Sequence, residues 1–161
     1  MFTIRAGYTD DIEVRSSLDR VRDFFADITN FADLMPGVQQ VHTDAKGIAH
    51  WKVKAEIPFI GQILQKFDVQ LAEDTPHRVE WSPLGVETQN FLRYSAEFLE
   101  KAKDLTVVRF SQMVELRRKS ARELHYLAGL AGESLISSEM TKRISEMIGV
   151  FIDRAKERLE K

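Results

Sequence analysis

Between Ser134 and Lys161, the apolar residues Ile136, Met140, Ile144, Met147, Ile148, Phe151, Ile152, Ala155 and Leu159 recur at three- and four-residue steps. That spacing predicts one long amphipathic helix with a single face to bury. The partner for that face lies upstream: from Val38 to Glu115 the chain alternates with period two and is broken by short turns, the pattern of antiparallel strands. A long closing helix on a large antiparallel sheet is an α+β architecture able to enclose a cavity.

The remaining signals refine that frame. Ile12 and Val14 alternate with charged neighbours in an opening strand, and Ser16 or Ser17 can cap a helix whose apolar face is Leu18, Val21, Phe24, Phe25 and Ile28. A second short helix is expected over Asn30 to Met35, stopped by Pro36 and Gly37. Val38 to Thr43 and Ile48 to Lys54 form a hairpin around Asp44 to Gly47, and a bend at Ile57 to Gly61 contains Pro58. Inward phases then fall on Gln65, Phe67, Val69 and Leu71, on Val79 and Trp81, on Leu92, Tyr94, Ala96 and Phe98, and on Val108, Phe110, Gln112 and Val114. This gives about seven strands. Arg117 to Gly132 is the least regular stretch, and no linker or repeat divides the chain, so residues 1–161 read as one domain.

Hydrophobic residues at 43% and charged residues at 30% are those of a folded globular protein. A net charge of −2 gives no reason to expect nucleic-acid binding, which depends on many phosphate-neutralising cations. With no cysteine, disulfides, thiol catalysis and cysteine metal sites are excluded. The opening residues lack a signal pattern, and no run approaches the roughly 18 apolar residues that span a bilayer, so a cytoplasmic location is expected.

The order strand, two short helices, antiparallel strands, long carboxy-terminal helix resembles the START-like superfamily, also called SRPBCC or helix-grip proteins. The segment from Phe24 to Val38 (Phe-Phe-Ala-Asp-Ile-Thr-Asn-Phe-Ala-Asp-Leu-Met-Pro-Gly-Val) is similar to that family's approach to its second strand. His50-Trp-Lys-Val-Lys54 and Arg78-Val-Glu-Trp-Ser82 resemble the tryptophan-bearing strands of its polyketide cyclase/dehydrase-like branch. Leu127-Ala-Gly-Leu-Ala-Gly132 resembles a second branch, named for a small component of carbon monoxide dehydrogenase. The resemblance implies a curved sheet gripping the long helix around an apolar pocket for lipids, quinones or aromatic compounds. It does not imply one reaction.

With the apolar strand faces turned inward, the expected ligand-binding residues are Trp51, Val53, Gln65, Phe67, Val69, Trp81, Leu92, Tyr94, Phe98, Phe110 and Gln112, with Ile144, Met147, Ile148 and Phe151 from the helix. Each apolar member, taken singly, more often fills a solid core than lines a ligand site. Gln65, Tyr94 and Gln112 discriminate better, because a buried polar group needs a partner, whether ligand, backbone or water. Of the four histidines, His42 and His50 fall on outward or ambiguous phases, His77 on a turn and His125 on the irregular stretch. Their spacing fits no metal motif, no phosphate loop or nucleophile elbow is present, and neither metal nor cofactor is expected.

The leading expectation is a carrier or sensor of a small hydrophobic ligand. An enzyme of the cyclase/dehydrase kind stays open on the resemblance alone, with catalytic residues unknown. So does an interaction protein of the carbon monoxide dehydrogenase-associated branch that recruits an enzyme to a membrane, through Arg117, Arg118, Lys119 and Arg122 beside Leu124, Tyr126, Leu127 and Leu130. A charge run of this kind is more often plain solvated surface, and the stretch reads alternatively as a lid that Gly129 and Gly132 let bend.

Overall fold

A computed structural model describes residues 1–161. The elements are β1 (Phe2–Val14), α1 (Leu18–Ala26), α2 (Thr29–Leu34), β2 (Val38–Thr43), β3 (Ala49–Ile57), β4 (Gly61–Thr75), β5 (Arg78–Pro83), β6 (Asn90–Ala102), β7 (Leu105–Arg118), α3 (Ala121–Leu124), α4 (Ala128–Ala131) and α5 (Glu133–Leu159). All seven strands form one antiparallel sheet in the order β1-β7-β6-β5-β4-β3-β2, curled into a half-barrel whose concave face holds α5. No helix is long and apolar enough to cross a membrane.

Local sequence explains the elements. The Ser17 hydroxyl caps α1 by accepting from the Arg20 N–H at 3.4 Å. Alternation along β6 and β7 buries Leu92, Tyr94, Ala96 and Phe98, and Val108, Phe110, Gln112 and Val114, as their phases require. The stripe on α5 buries Ile136, Met140, Ile148, Phe151 and Ile152, each large apolar side chain contributing about 1.5–3 kcal/mol. Gly132 joins α4 to α5 at φ +82°, a conformation open to glycine and strained for other residues.

Three features depart from the sequence reading. The opening strand begins at Phe2 rather than near Ile12, pairing along its length with β7 from Phe2↔Arg118 to Val14↔Thr106. Leu71, expected on the inward face of β4, stands exposed: it keeps phase with Val69, but β3 begins at Ala49, opposite Val69, so no β3 residue pairs with β4 beside Leu71. The irregular stretch contains two short helices, α3 and α4.

Antiparallel pairing gathers the 58–60 turn, the 84–89 loop and the α3–α4 segment at the end where β7 finishes. At the other end α1 packs on β6 and β7, while α2 packs against β2 and α5. The concave interior thus has two differently closed halves.

Candidate functional site

The half toward α4 contains a cavity of about 50 Å³ between the sheet and α5. Of its fourteen lining residues twelve are hydrophobic. Val38, Val53, Ala55, Ile63, Phe67, Leu92, Val114 and Leu116 come from the sheet, Met140, Ile144 and Met147 from α5, and Met35 from the end of α2. The two polar residues are Gln65 and Gln112. Three of the chain's five methionines, Met35, Met140 and Met147, border this space. Their unbranched thioethers change shape at little cost, so this wall is adaptable.

Of the residues expected from strand and helix phase, Val53, Gln65, Phe67, Leu92, Gln112, Ile144 and Met147 meet at this cavity. Trp51, Val69, Trp81, Tyr94, Phe98, Phe110, Ile148 and Phe151 are buried elsewhere in the core. Phenylalanines from the two short helices explain much of the difference. Phe31 stacks on Phe151 at 4.5 Å between ring centres and meets Tyr94 edge-on at 4.9 Å. Phe25 lies 6.3 Å from Phe110 and 6.2 Å from Phe98. These rings fill the half toward α1, and the cavity lies in the other. Phase along a single strand reveals which side chains face inward, but not what other elements place opposite them. Met35, Ile63, Leu116 and Met140 line the cavity on the same phases and were legible only by following each element to its end.

The polar candidates have three different outcomes. The Tyr94 hydroxyl donates to the Phe25 carbonyl at 2.9 Å, and burial alone pushes its pKa well above the usual phenol value. Gln112 is buried and its Oε1 has no partner. Gln65 belongs to a network at the α4 end: its Oε1 accepts from Arg118 Nη2 at 2.8 Å and from Asn90 Nδ2 at 3.0 Å. The network exists because β5 ends at Pro83, so that β4 and β6 approach each other directly beyond it. Asn90 Nδ2 spans this gap by also donating to the Lys66 carbonyl at 2.8 Å.

Arg118 therefore turns inward instead of standing with its basic neighbours as free surface charge. Burial pushes its pKa down, while the Glu123 and Glu87 charges oppose that shift. Burial would raise Glu87, but N–H donors from Asn90, Gln89 and Thr88, with the Arg118 charge, hold its carboxyl below the usual range. Arg117 is paired with Glu115 and lies 4.4 Å above the Phe91 ring. Lys119 and Arg122 stay on the surface, beside the largely exposed Tyr126 and Leu130.

No histidine or carboxylate lines the cavity. His50 sits on the outer side between two aspartates, its Nε2 2.9 Å from Asp44 and its Nδ1 2.6 Å from Asp68. Hydrogen bonds from Asp44 and then Asp68 raise its pKa above the ordinary 6.5. Also outside, Asp11, Arg109, Glu97 and Arg78 stand opposite one another in register on β1, β7, β6 and β5, a charge ladder of structural character.

No family model matches the chain, and no curated protein does so either. Among solved structures it is similar to the di-domain aromatase/cyclase BexL from the BE-7585A biosynthetic pathway, with TM-score 0.65 and 15% identity over 98% of this chain and 51% of that one. It thus spans about half the length of that protein. It is also similar to the aromatase/cyclase Zhui from Streptomyces sp. R1128, with TM-score 0.64 and 11% identity over 96% of this chain and 95% of that one. A third similar structure comes from Mycobacterium smegmatis and is described as a START superfamily protein. It has TM-score 0.61 and 11% identity over 96% of this chain and 97% of that one.

Proposed function

Taking as premise the START-like helix-grip fold that this chain shares with those structures, we propose that it binds a small hydrophobic ligand between the sheet and α5, as a carrier or sensor. The observation that carries this reading is the composition of the cavity: twelve apolar residues and two amides, three of the apolar residues being adaptable methionines. Removing apolar ligand surface from water supplies affinity at about 25 cal/mol per Å², and the amides set orientation. At about 50 Å³ the cavity has room for only a water or two, so binding couples to rearrangement of Met35, Met140 and Met147.

Aromatase/cyclase chemistry, stated in the names of two structural neighbours, needs an acid or base within reach of the reacting atoms. The cavity wall offers no ionisable side chain, and the Tyr94 hydroxyl is committed to a backbone carbonyl. Binding without proton transfer fits this wall better.

The test is native purification followed by solvent extraction and mass spectrometry. A stoichiometric apolar compound is expected, and its absence even after incubation with cell extract overturns the reading.

A second reading, peripheral contact with a membrane, is favoured by one observation. Phe59, Val86, Tyr126 and Leu130, each at least three-quarters exposed, project from the turns and helices at the cavity's end of the molecule, where Lys119 and Arg122 are free. Flotation with anionic vesicles tests it: Phe59→Ser with Leu130→Ser should abolish co-flotation, and wild type that stays unbound overturns it.

A further inference from the structure

Two donors converge on the Gln65 side-chain oxygen, Arg118 Nη2 and Asn90 Nδ2. Gln65 also lines the cavity, so this oxygen lies at the boundary between an apolar space and a guanidinium. The other acceptors around Arg118 are neutral too. Nη2 donates to Asn90 Oδ1 at 2.8 Å, while Nη1 donates to the carbonyls of Arg117 at 2.8 Å and Gln89 at 3.3 Å. No carboxylate pairs with it, in contrast to Arg5, Arg78, Arg109 and Arg117, which all hold carboxylates on the outer surface. The nearby Glu87 carboxyl is committed to three backbone N–H groups. Arg118 is thus a partly buried cation whose hydrogen bonds all go to neutral acceptors, with the Glu87 and Glu123 charges nearby but not paired with it, beside a cavity whose polar lining is Gln65 and Gln112 alone.

A desolvated cation is costly without a charged partner, and the planar guanidinium fork matches a carboxylate better than it matches scattered amide oxygens. We propose that Arg118 and Asn90 form a headgroup site for the carboxylate of an apolar acid, and that Gln65 Oε1 occupies the place of a ligand oxygen in the empty protein. This rests on the apolar-ligand reading of the cavity and names its substrate class. On binding, the carboxylate displaces the Gln65 oxygen and takes both N–H donors, while the freed Gln65 amide turns its own NH₂ toward the new charge. The tail then follows Leu116 and Val114 along the inner face of β7 as far as Gln112. At about 3.3 Å per residue, the strand from Arg118 to Gln112 runs roughly 20 Å, which suits a medium or long acyl chain.

The test titrates the purified full-length protein with dodecanoic acid and with methyl dodecanoate by isothermal calorimetry at about pH 8, where the acid is ionised. The two probes share a tail and differ in head charge. Wild type should bind the acid about tenfold more tightly or better, and Arg118→Met should erase that advantage while leaving the ester affinity unchanged. Equal affinity of acid and ester for wild type, or an acid affinity unmoved in Arg118→Met, overturns the proposal while leaving the apolar-ligand reading intact. If wild type binds neither probe, the headgroup proposal falls, and the apolar-ligand reading is decided by its own extraction test. Retained ester binding also reports that the variant is folded. Should Arg118→Met fail that criterion, Arg118→Lys keeps the charge without the fork and should weaken the acid several-fold with the ester unchanged; an unchanged acid affinity there counts against the proposal.

Discussion

The Tyr94 hydroxyl donates to the Phe25 carbonyl across 2.9 Å, joining the middle of β6 to the last turn of α1 inside a cluster of phenylalanines. Both groups are shut away from water, so each depends on the other for its hydrogen bond.

Tyr94→Phe keeps the ring packing and strands the Phe25 carbonyl. The variant should fold and lose about 1–3 kcal/mol, read as a lower urea midpoint at unchanged slope. Ligand uptake in the other half of the interior should be unaffected.

His50 and its aspartates make stability depend on pH. Its folded pKa is raised above the ordinary 6.5, so its contribution is fully present below that value and disappears as pH rises through the raised one. Asp44 is held below the ordinary 3.8, chiefly by His50 and then by the Ile48 N–H, so its contribution is present above that value and falls away in acid. Between these limits both act. His50→Asn should therefore destabilise the protein more at about pH 5.5 than at about pH 8, measured by denaturant midpoints at the two values. An identical effect at both would exclude this linkage.

Met140 is buried on α5 at the cavity wall. Met140→Ala should cost about 2–5 kcal/mol of stability while enlarging the cavity. The same variant should take up an environment-sensitive apolar dye more strongly than wild type, in a fluorescence titration well below its melting temperature. Loss of stability without gain in dye binding would mean that the wall collapses into the vacated space.

Gly37 has φ +88°, and a Cβ there would lie 2.7 Å from both the Lys54 carbonyl oxygen and the Met147 methyl. Gly37→Ala is strained by backbone and by contact together, and should lower stability by more than about 1 kcal/mol in a thermal melt. The neighbouring Met147 methyl should shift in its NMR spectrum.

Much of this architecture was legible along the chain. The α5 stripe and the alternation in β6 and β7 are each dictated by burial on one side, which is why periodicity exposes them. β1 was legible only at its end, because Tyr8 to Asp11 form a stretch with no fully buried side chain, and alternation has no cause where neither face is covered. For the site, strand phase located Val53, Gln65, Phe67, Leu92 and Gln112. It could not foresee that Phe25 and Phe31 would fill half the interior, since their positions depend on how α1 and α2 pack rather than on any strand. Arg118 was least legible of all. The inward phase of Val108, Phe110, Gln112 and Val114 continues through Leu116 to Arg118, but the strand pattern is read only as far as Glu115, which leaves Arg118 in the irregular stretch. What receives it inside follows from the shortness of β5, which lets residues of β4 and β6 meet around it.

The edge strand β1 is sealed by the far end of the chain: the Arg5 N–H donates to Ser137 Oγ at 3.1 Å and the Arg15 N–H, just past the strand, to Glu160 Oε2 at 2.8 Å. Its other side pairs with β7, Phe2 meeting Arg118. During synthesis, β1 therefore emerges before every element that will flank it and waits without neighbours until β7 and α5 have been made. Contacts so distant in sequence are slow to form, which places closure of the space between the sheet and α5 among the last events of folding. Until then the nascent protein carries an unpaired and partly apolar strand.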